Sequence, residues 1–226
     1  MVTGLPVAFY NDKAALRDRL LGVHKVTPEG CHGQTFKVND CRVIPQPFGA
    51  LLAAALDDRG RITDQDLATG SVGVIDVGGK TTNLLSVKRL AEIGRETKSV
   101  SVGAWDAVRA VRGFVADPCP NLELRDHQVI EAIIARQVRY YGQRVDLKPA
   151  VDAALEPMAN HVIAQASQLW NGGAGLDAIL IAGGGALLLG PYLKTYFRHA
   201  RVVSEPVFAN AEGYWKLAQR LSSSAN

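Results

Sequence analysis

The chain has 226 residues, 47% of them hydrophobic and 21% charged, with a net charge of +3. That suits a globular chain of one large domain or two small ones with a real core. So small a net charge makes no compositional case for nucleic-acid binding; with no apolar run of membrane-spanning length and no signal peptide, a cytoplasmic protein is expected.

In chain order, residues 2–7 read as the end of a strand closed by Gly4 and Pro6. Residues 12–21 predict a short helix capped by Asn11 or Asp12, with Leu16, Leu20 and Leu21 on its apolar side. Residues 33–38 alternate around Phe36 and Val38 as a half-buried strand does. Residues 41–44 form another strand, stopped by Pro45, and Pro47 suits the first turn of a helix over residues 48–56. That helix is small-sided (Gly49, Ala50, Ala53, Ala54, Ala55), which permits close approach to a neighbour. The polar residues 59–70 read as a loop between two lobes. Cys31, Cys41 and Cys119 form neither a disulfide framework nor a zinc site; Cys31 and His32 with Cys41 lack a fourth ligand at usable spacing.

The central stretch is VGVIDVGGKTTN, residues 72–83. It reads as a buried strand interrupted by Asp76, a tight turn at Gly78 and Gly79, and a second strand over residues 84–87. Glycines let backbone N–H groups approach an anion, threonine hydroxyls add donors, and an aspartate at a strand end can hold hydrated Mg²⁺. A ligand-free hairpin turn explains the same glycines. The stretch is not a P-loop: Val74 stands where the first glycine belongs, and a strand follows instead of a helix. A second strand running into glycines, Ile181-Ala182-Gly183-Gly184-Gly185, lies about a hundred residues on, and the two turns can face one nucleotide.

Beyond the hairpin, residues 98–102 predict a strand and 103–115 a helix with Trp105, Val108, Val111 and Val115 at helical spacing. Residues 117–121 are a loop and 127–138 a second helix. Residues 147–170 make the longest helix, with a core stripe of Val151, Leu155, Met158, Val162, Ala166 and Leu169. Asn171-Gly172-Gly173 ends it. A buried strand follows at 178–182, then a helix over 186–197 broken near Gly190-Pro191, a short strand at 202–203, a helix over 211–221 and a fraying tail. His161 reads as a surface or satisfied core residue, Arg136, Arg139 and Arg144 as a solvated face, and Trp105, Trp170 and Trp215 as core or interface filling.

Three segments in order, Ile44-Pro45-Gln46-Pro47-Phe48-Gly49-Ala50, then Val74-Ile75-Asp76-Val77-Gly78-Gly79-Lys80-Thr81-Thr82, then Leu180-Ile181-Ala182-Gly183-Gly184-Gly185, resemble the actin superfamily. They look like its first connecting segment, second phosphate loop and adenosine loop. Within the superfamily the chain looks most like the bacterial ParM/StbA plasmid-segregation actins, to which Thr3-Gly4-Leu5-Pro6-Val7 and Asn210-Ala211-Glu212-Gly213-Tyr214 are also similar. The resemblance implies an α/β, RNase H-like fold with a complete second lobe and a remnant of the first. The implied boundaries are residues 1–68 for partial lobe I and 69–226 for lobe II, with a helical insertion at about 103–146.

The family's first phosphate loop does not precede Val2, so the chain is expected to be either a fragment or a natural remnant, with weak nucleotide binding and exposed sheet edges in lobe I. The resemblance implies that Gly78, Gly79 and Thr81 bind β- and γ-phosphates, that Asp76 orders Mg²⁺ through water, and that Gly183, Gly184 and Gly185 approach the α-phosphate, ribose or adenine. Gln46 lies where the family positions the attacking water; an amide aligns water but is a poor proton acceptor. The implied function is an ATP- or GTP-dependent filament former that moves plasmid DNA through an adaptor protein, without direct nucleic-acid or membrane contact. The alternative is a non-catalytic interaction module; a sugar kinase or chaperone of the same fold is a third and weaker option, since neither a catalytic lobe I aspartate nor a long extra domain is visible.

Overall fold

A computed structural model describes residues 1–27 and 33–223. The chain opens with strand β1 (Val2–Leu5), a 3-10 turn over Val7–Asp12 and helix α1 (Lys13–Leu20). The expected helix thus begins tighter than an α-helix, and neither Asn11 nor Asp12 caps it through its side chain. Strands β2 (Gly22–Val26) and β3 (Gln34–Val38) form an antiparallel hairpin. β2 escaped the sequence reading because His24 and Lys25 break its apolar pattern, and Phe36 of β3 stays about half exposed, stacked on His24. The Cys31–His32 pair lies outside the described residues, as does the end of the tail expected to fray; Cys41 and Cys119 are buried and unpaired.

Strand β4 (Arg42–Pro45) pairs in parallel with β1, and helix α2 (Phe48–Ala55) follows directly. The segment read as a loop over 59–70 contains helix α3 (Gln65–Thr69), whose N-terminus is capped by the Asp64 carboxylate accepting from Leu67 N–H at 3.0 Å.

Strands β5 (Ser71–Val77) and β6 (Thr82–Lys88) form the central hairpin. β7 (Ala91–Glu92) and β8 (Lys98–Val100) both pair with β6. Helices α4 (Ala104–Ala116) and α5 (Asp126–Ala135) come next. The helix expected to reach 138 stops because Arg136 turns left-handed (φ 53°). β9 (Gln137–Tyr140) and β10 (Gln143–Asp146) then form a hairpin around Tyr141 and Gly142, both at positive φ, as a tight two-residue turn requires. Of the three arginines read as one solvated face, Arg136 pairs with Asp152 and donates to the Tyr192 hydroxyl, while Arg139 and Arg144 oppose each other across the hairpin.

Helix α6 (Lys148–Leu169) buries Val151, Leu155, Val162 and Ala166 as its spacing predicts, while Met158 is only partly covered and His161 is exposed. β11 (Ala178–Ala182) is followed by α7 (Ala186–Tyr196), β12 (Ala200–Val202) and α8 (Ala209–Ser223). Helix α7 is continuous through Gly190 and Pro191, contrary to the expected break. Proline removes one backbone hydrogen bond, and burial of Leu188, Leu189 and Leu193 on either side holds the helix together.

The main sheet runs β12-β11-β5-β6-β7, with β11 parallel to both β5 and β12 and β6 antiparallel to β5. Its central strands are buried on both faces, which explains their mostly apolar runs, interrupted at Asp76 in β5 and at Asn83 and Ser86 in β6. Ile75, Val77, Leu84, Ile179 and Ile181 pack under α4, α6 and α7. Val72, Val74, Leu85, Leu180 and Ala182 pack against Ala50, Leu51 and Ala55 of α2 and Ala209 of α8. Helices α2 and α8 cross with almost no separation, since a Cβ at Gly213 would sit 1.8 Å from the Gly49 carbonyl oxygen. Among the described residues no helix is long and apolar enough to cross a membrane.

Candidate functional site

The ends of β5 and β11 lie side by side, Asp76 opposite Ala182. Asp76 is 1% exposed. Its Oδ2 accepts from Asn210 Nδ2 at 3.0 Å and Gln46 Nε2 at 3.3 Å. Its Oδ1 is buried without a hydrogen-bond partner. Burial pushes the carboxyl up to about 6, against the pull of the Asn210 and Gln46 donors.

Three elements bring these groups together. Gln46 follows β4 and is anchored by its own N–H to the Leu5 carbonyl at 2.7 Å. The Tyr214 hydroxyl of α8 donates to the Gln46 carbonyl at 3.1 Å. Burial, and then the Asp76 charge, raise the Tyr214 phenol's pKa, so it stays a neutral donor. Asn210, one helical turn before Tyr214, also accepts from Ala50 N–H at 3.0 Å, tying α2 to the site.

The turn after β5 is locked from outside. Gly78 N–H donates to the Thr81 carbonyl, while the Gly78 and Gly79 carbonyls accept from Ala104 and Trp105, the first N–H groups of α4. Among the described residues the N–H groups of Gly79 and Lys80 meet no acceptor, so the turn leaves donors for an anion. Trp105 is 39% exposed rather than core, and its indole lies over Gly79, where a Cβ would approach Nε1 to 2.7 Å.

The glycines after β11 divide by role. Gly183 has φ +82°, and a Cβ there would lie 2.3 Å from the Val77 carbonyl oxygen and 2.5 Å from Asp76 Oδ1. A Cβ at Gly185 would meet Val77 Cγ1 at 2.3 Å. Both are required by the close approach of this loop to β5. Gly184 has nothing within 4 Å of its Cβ position, so it is the glycine that leaves open space beside the site. Asn210 and Tyr214 are the site residues that sequence reasoning left without a role; the signal was present in Asn210-Ala211-Glu212-Gly213-Tyr214, which sets two polar side chains one turn apart.

Residues 74–195 match a family model described as "Archaeal actin homologue MreB-like, C-terminal", over half of the chain, and residues 1–49 match "Actin like proteins N terminal domain". The chain belongs to the actin-like proteins. This actin-like chain superposes on an archaeal actin homologue, Ta0583, solved in complex with ADP, at 25% identity and TM-score 0.76, over 97% of this chain and 72% of that one. A non-polymerisable mutant of pCBH ParM matches at 22% identity and TM-score 0.73, covering 97% and 67%. A ParM filament from Clostridium botulinum matches at 23% and 0.72, covering 97% and 66%. Comparison with curated proteins returns no significant match. The α/β actin-like fold expected from the three motifs is therefore the fold of this chain, which spans about two thirds of the length of these relatives.

Among the described residues no group of three or more His, Cys, Asp or Glu side chains is placed to chelate a metal. The actin-like site instead fits a hydrated Mg²⁺: one carboxylate, with an oxygen lacking any donor, matches a cation that keeps most of its water and takes its remaining ligands from phosphates.

Proposed function

We propose that this chain is the nucleotide-binding part of a ParM/StbA-like ATPase that assembles into filaments and moves plasmid DNA through an adaptor protein. The reading divides the chain near residue 68 into a partial first lobe and a second lobe. The observation that carries it is the convergence of Gln46, Asp76 and Asn210 between the two glycine turns. The ADP complex of the archaeal relative and the ParM filament support nucleotide binding and self-association respectively.

In this reading the N–H groups around Gly79 and the hydroxyl of Thr81 bind the β- and γ-phosphates. Gly184 gives the rest of the nucleotide, ATP or GTP, room to approach. Asp76 would hold Mg²⁺ through water, and the ion would offset charge on the phosphate oxygens. Gln46 commits its Nε2 to Asp76, which leaves its Oε1 to accept from, and so align, an attacking water. It does not remove the proton; its contribution is orientation.

Gln46→Ala tests this in the full-length protein. Nucleotide binding and assembly, followed by light scattering, should be nearly unchanged, while phosphate release slows by about 10²–10³-fold. Hydrolysis at the wild-type rate removes the role from Gln46. Absence of assembly with any nucleotide removes the segregation reading.

A further inference from the structure

We propose that the opposite end of the main sheet carries a docking groove for an acidic peptide segment with one bulky apolar side chain. The groove lies where β5 begins, away from the Asp76 end of that strand. It consists of two cavities of about 400 Å³ and 340 Å³ that share Arg95, Gln168 and Leu169 and so run into each other.

The inner cavity is built around Trp170, which is 6% exposed and held by its indole N–H to the Glu96 carbonyl at 3.4 Å. The ring packs closely over Gly73, where a Cβ would approach it to 3.1 Å. Ile93 and Leu176 complete an apolar wall. Ser86 lies directly across the ladder from Gly73, in the wall of the same cavity; it is fully buried, and its hydroxyl has no hydrogen-bond partner. A buried hydroxyl without a partner is costly, and this one stands in the cavity wall beside Trp170. The volume is within the range of formed binding pockets and suits one large apolar side chain beside a polar main-chain atom.

The outer cavity is polar. Lys98 and Gln165 face one another there, the ammonium donating to the amide oxygen at 2.5 Å, and Gln168 lies one turn along α6. Glutamine amides both donate and accept, which matches a peptide main chain. Across both cavities the lining cations are Lys88, Arg95 and Lys98, opposed by Glu96 alone, whose contact with Arg95 is a long 3.7 Å. The excess is positive, and Arg95 is largely exposed, so an occupant of negative charge is favoured. An apolar end, a cationic end and amides between them describe an acidic segment anchored by one apolar residue. Continuity over both cavities favours a peptide over a small molecule.

The test is fluorescence polarisation with a labelled peptide of one phenylalanine flanked by glutamates. Saturable binding is expected, weakened about tenfold or more by Arg95→Glu with Lys98→Glu and by replacing the peptide's phenylalanine with alanine. Ser86→Ala should weaken binding without lowering the melting temperature, because it deletes a hydroxyl that makes no bond in the folded chain. Equal binding of the phenylalanine and alanine peptides would reduce the groove to surface charge and overturn the proposal. So would the absence of saturable binding, or self-association of the chain that Arg95→Glu abolishes, which would make the occupant a second copy.

Discussion

Asp76→Asn should leave the protein more stable at pH 7 and less able to bind Mg–nucleotide. The folded chain holds the Asp76 carboxyl at about 6 instead of 3.8, because the group is buried. The native state therefore keeps this proton at pH values where the unfolded chain has lost it. Stability that is full below pH 3.8 is lost as the pH rises to about 6, by up to about 3 kcal/mol. Asparagine avoids that loss and still offers an oxygen to Gln46 and Asn210. Urea titrations should give a small difference between variant and wild type at pH 4 and about 2–3 kcal/mol in favour of the variant at pH 7. The charge that weakens the fold is the charge that a cation at this site needs. A variant no more stable than wild type at pH 7 would mean that Asp76 is better solvated than its burial indicates.

Gly213→Val should lower the stability instead. The helices that carry Gln46's neighbours and Asn210 touch backbone to backbone at Gly49 and Gly213. No rotamer relieves a Cβ that meets a carbonyl oxygen at 1.8 Å, so α2 and α8 must separate. The expected cost is about 3–5 kcal/mol, with loss of nucleotide binding as Asn210 and Tyr214 move away from Asp76 and Gln46. Gly113→Ala is the control. Gly113 is in α4 with nothing within 4 Å of its Cβ position. Alanine there should stabilise by about 0.5–1 kcal/mol through helix propensity. Similar melting temperatures for the two variants would contradict the close crossing.

The buried hairpin of β5 and β6, strand β11 and helix α6 were legible because each is long and strongly patterned. What escaped was local and polar. Strand β2 carries His24 and Lys25 and packs mainly against its own hairpin partner, so burial imposes little alternation on it. The sequence reading carries the second helix too far, through Val138 into the hairpin after α5; Arg136 in a left-handed turn and the Tyr141-Gly142 turn decide otherwise. Helix α3 depends on the Asp64 cap more than on apolar spacing.

At the site, Gln46 and Asp76 were legible as residues and the structure brings them within 3.3 Å. Asn210 and Tyr214 were not, because their roles exist only once α8 crosses α2, about 160 residues away along the chain from Ala50. The sequence reading treats Gly183, Gly184 and Gly185 alike. Their Cβ surroundings differ: those of Gly183 and Gly185 are filled by β5, while that of Gly184 is open.

That separation supplies the most direct test of a nucleotide site at Asp76. Calorimetric titration of the chain with Mg–ADP should show a single saturable site in the wild type. Gly184→Val, whose Cβ meets nothing within 4 Å, should weaken it about tenfold or more while leaving the melting temperature of the ligand-free protein unchanged. No binding by the wild type, or equal binding by Gly184→Val, would contradict the assignment of this site.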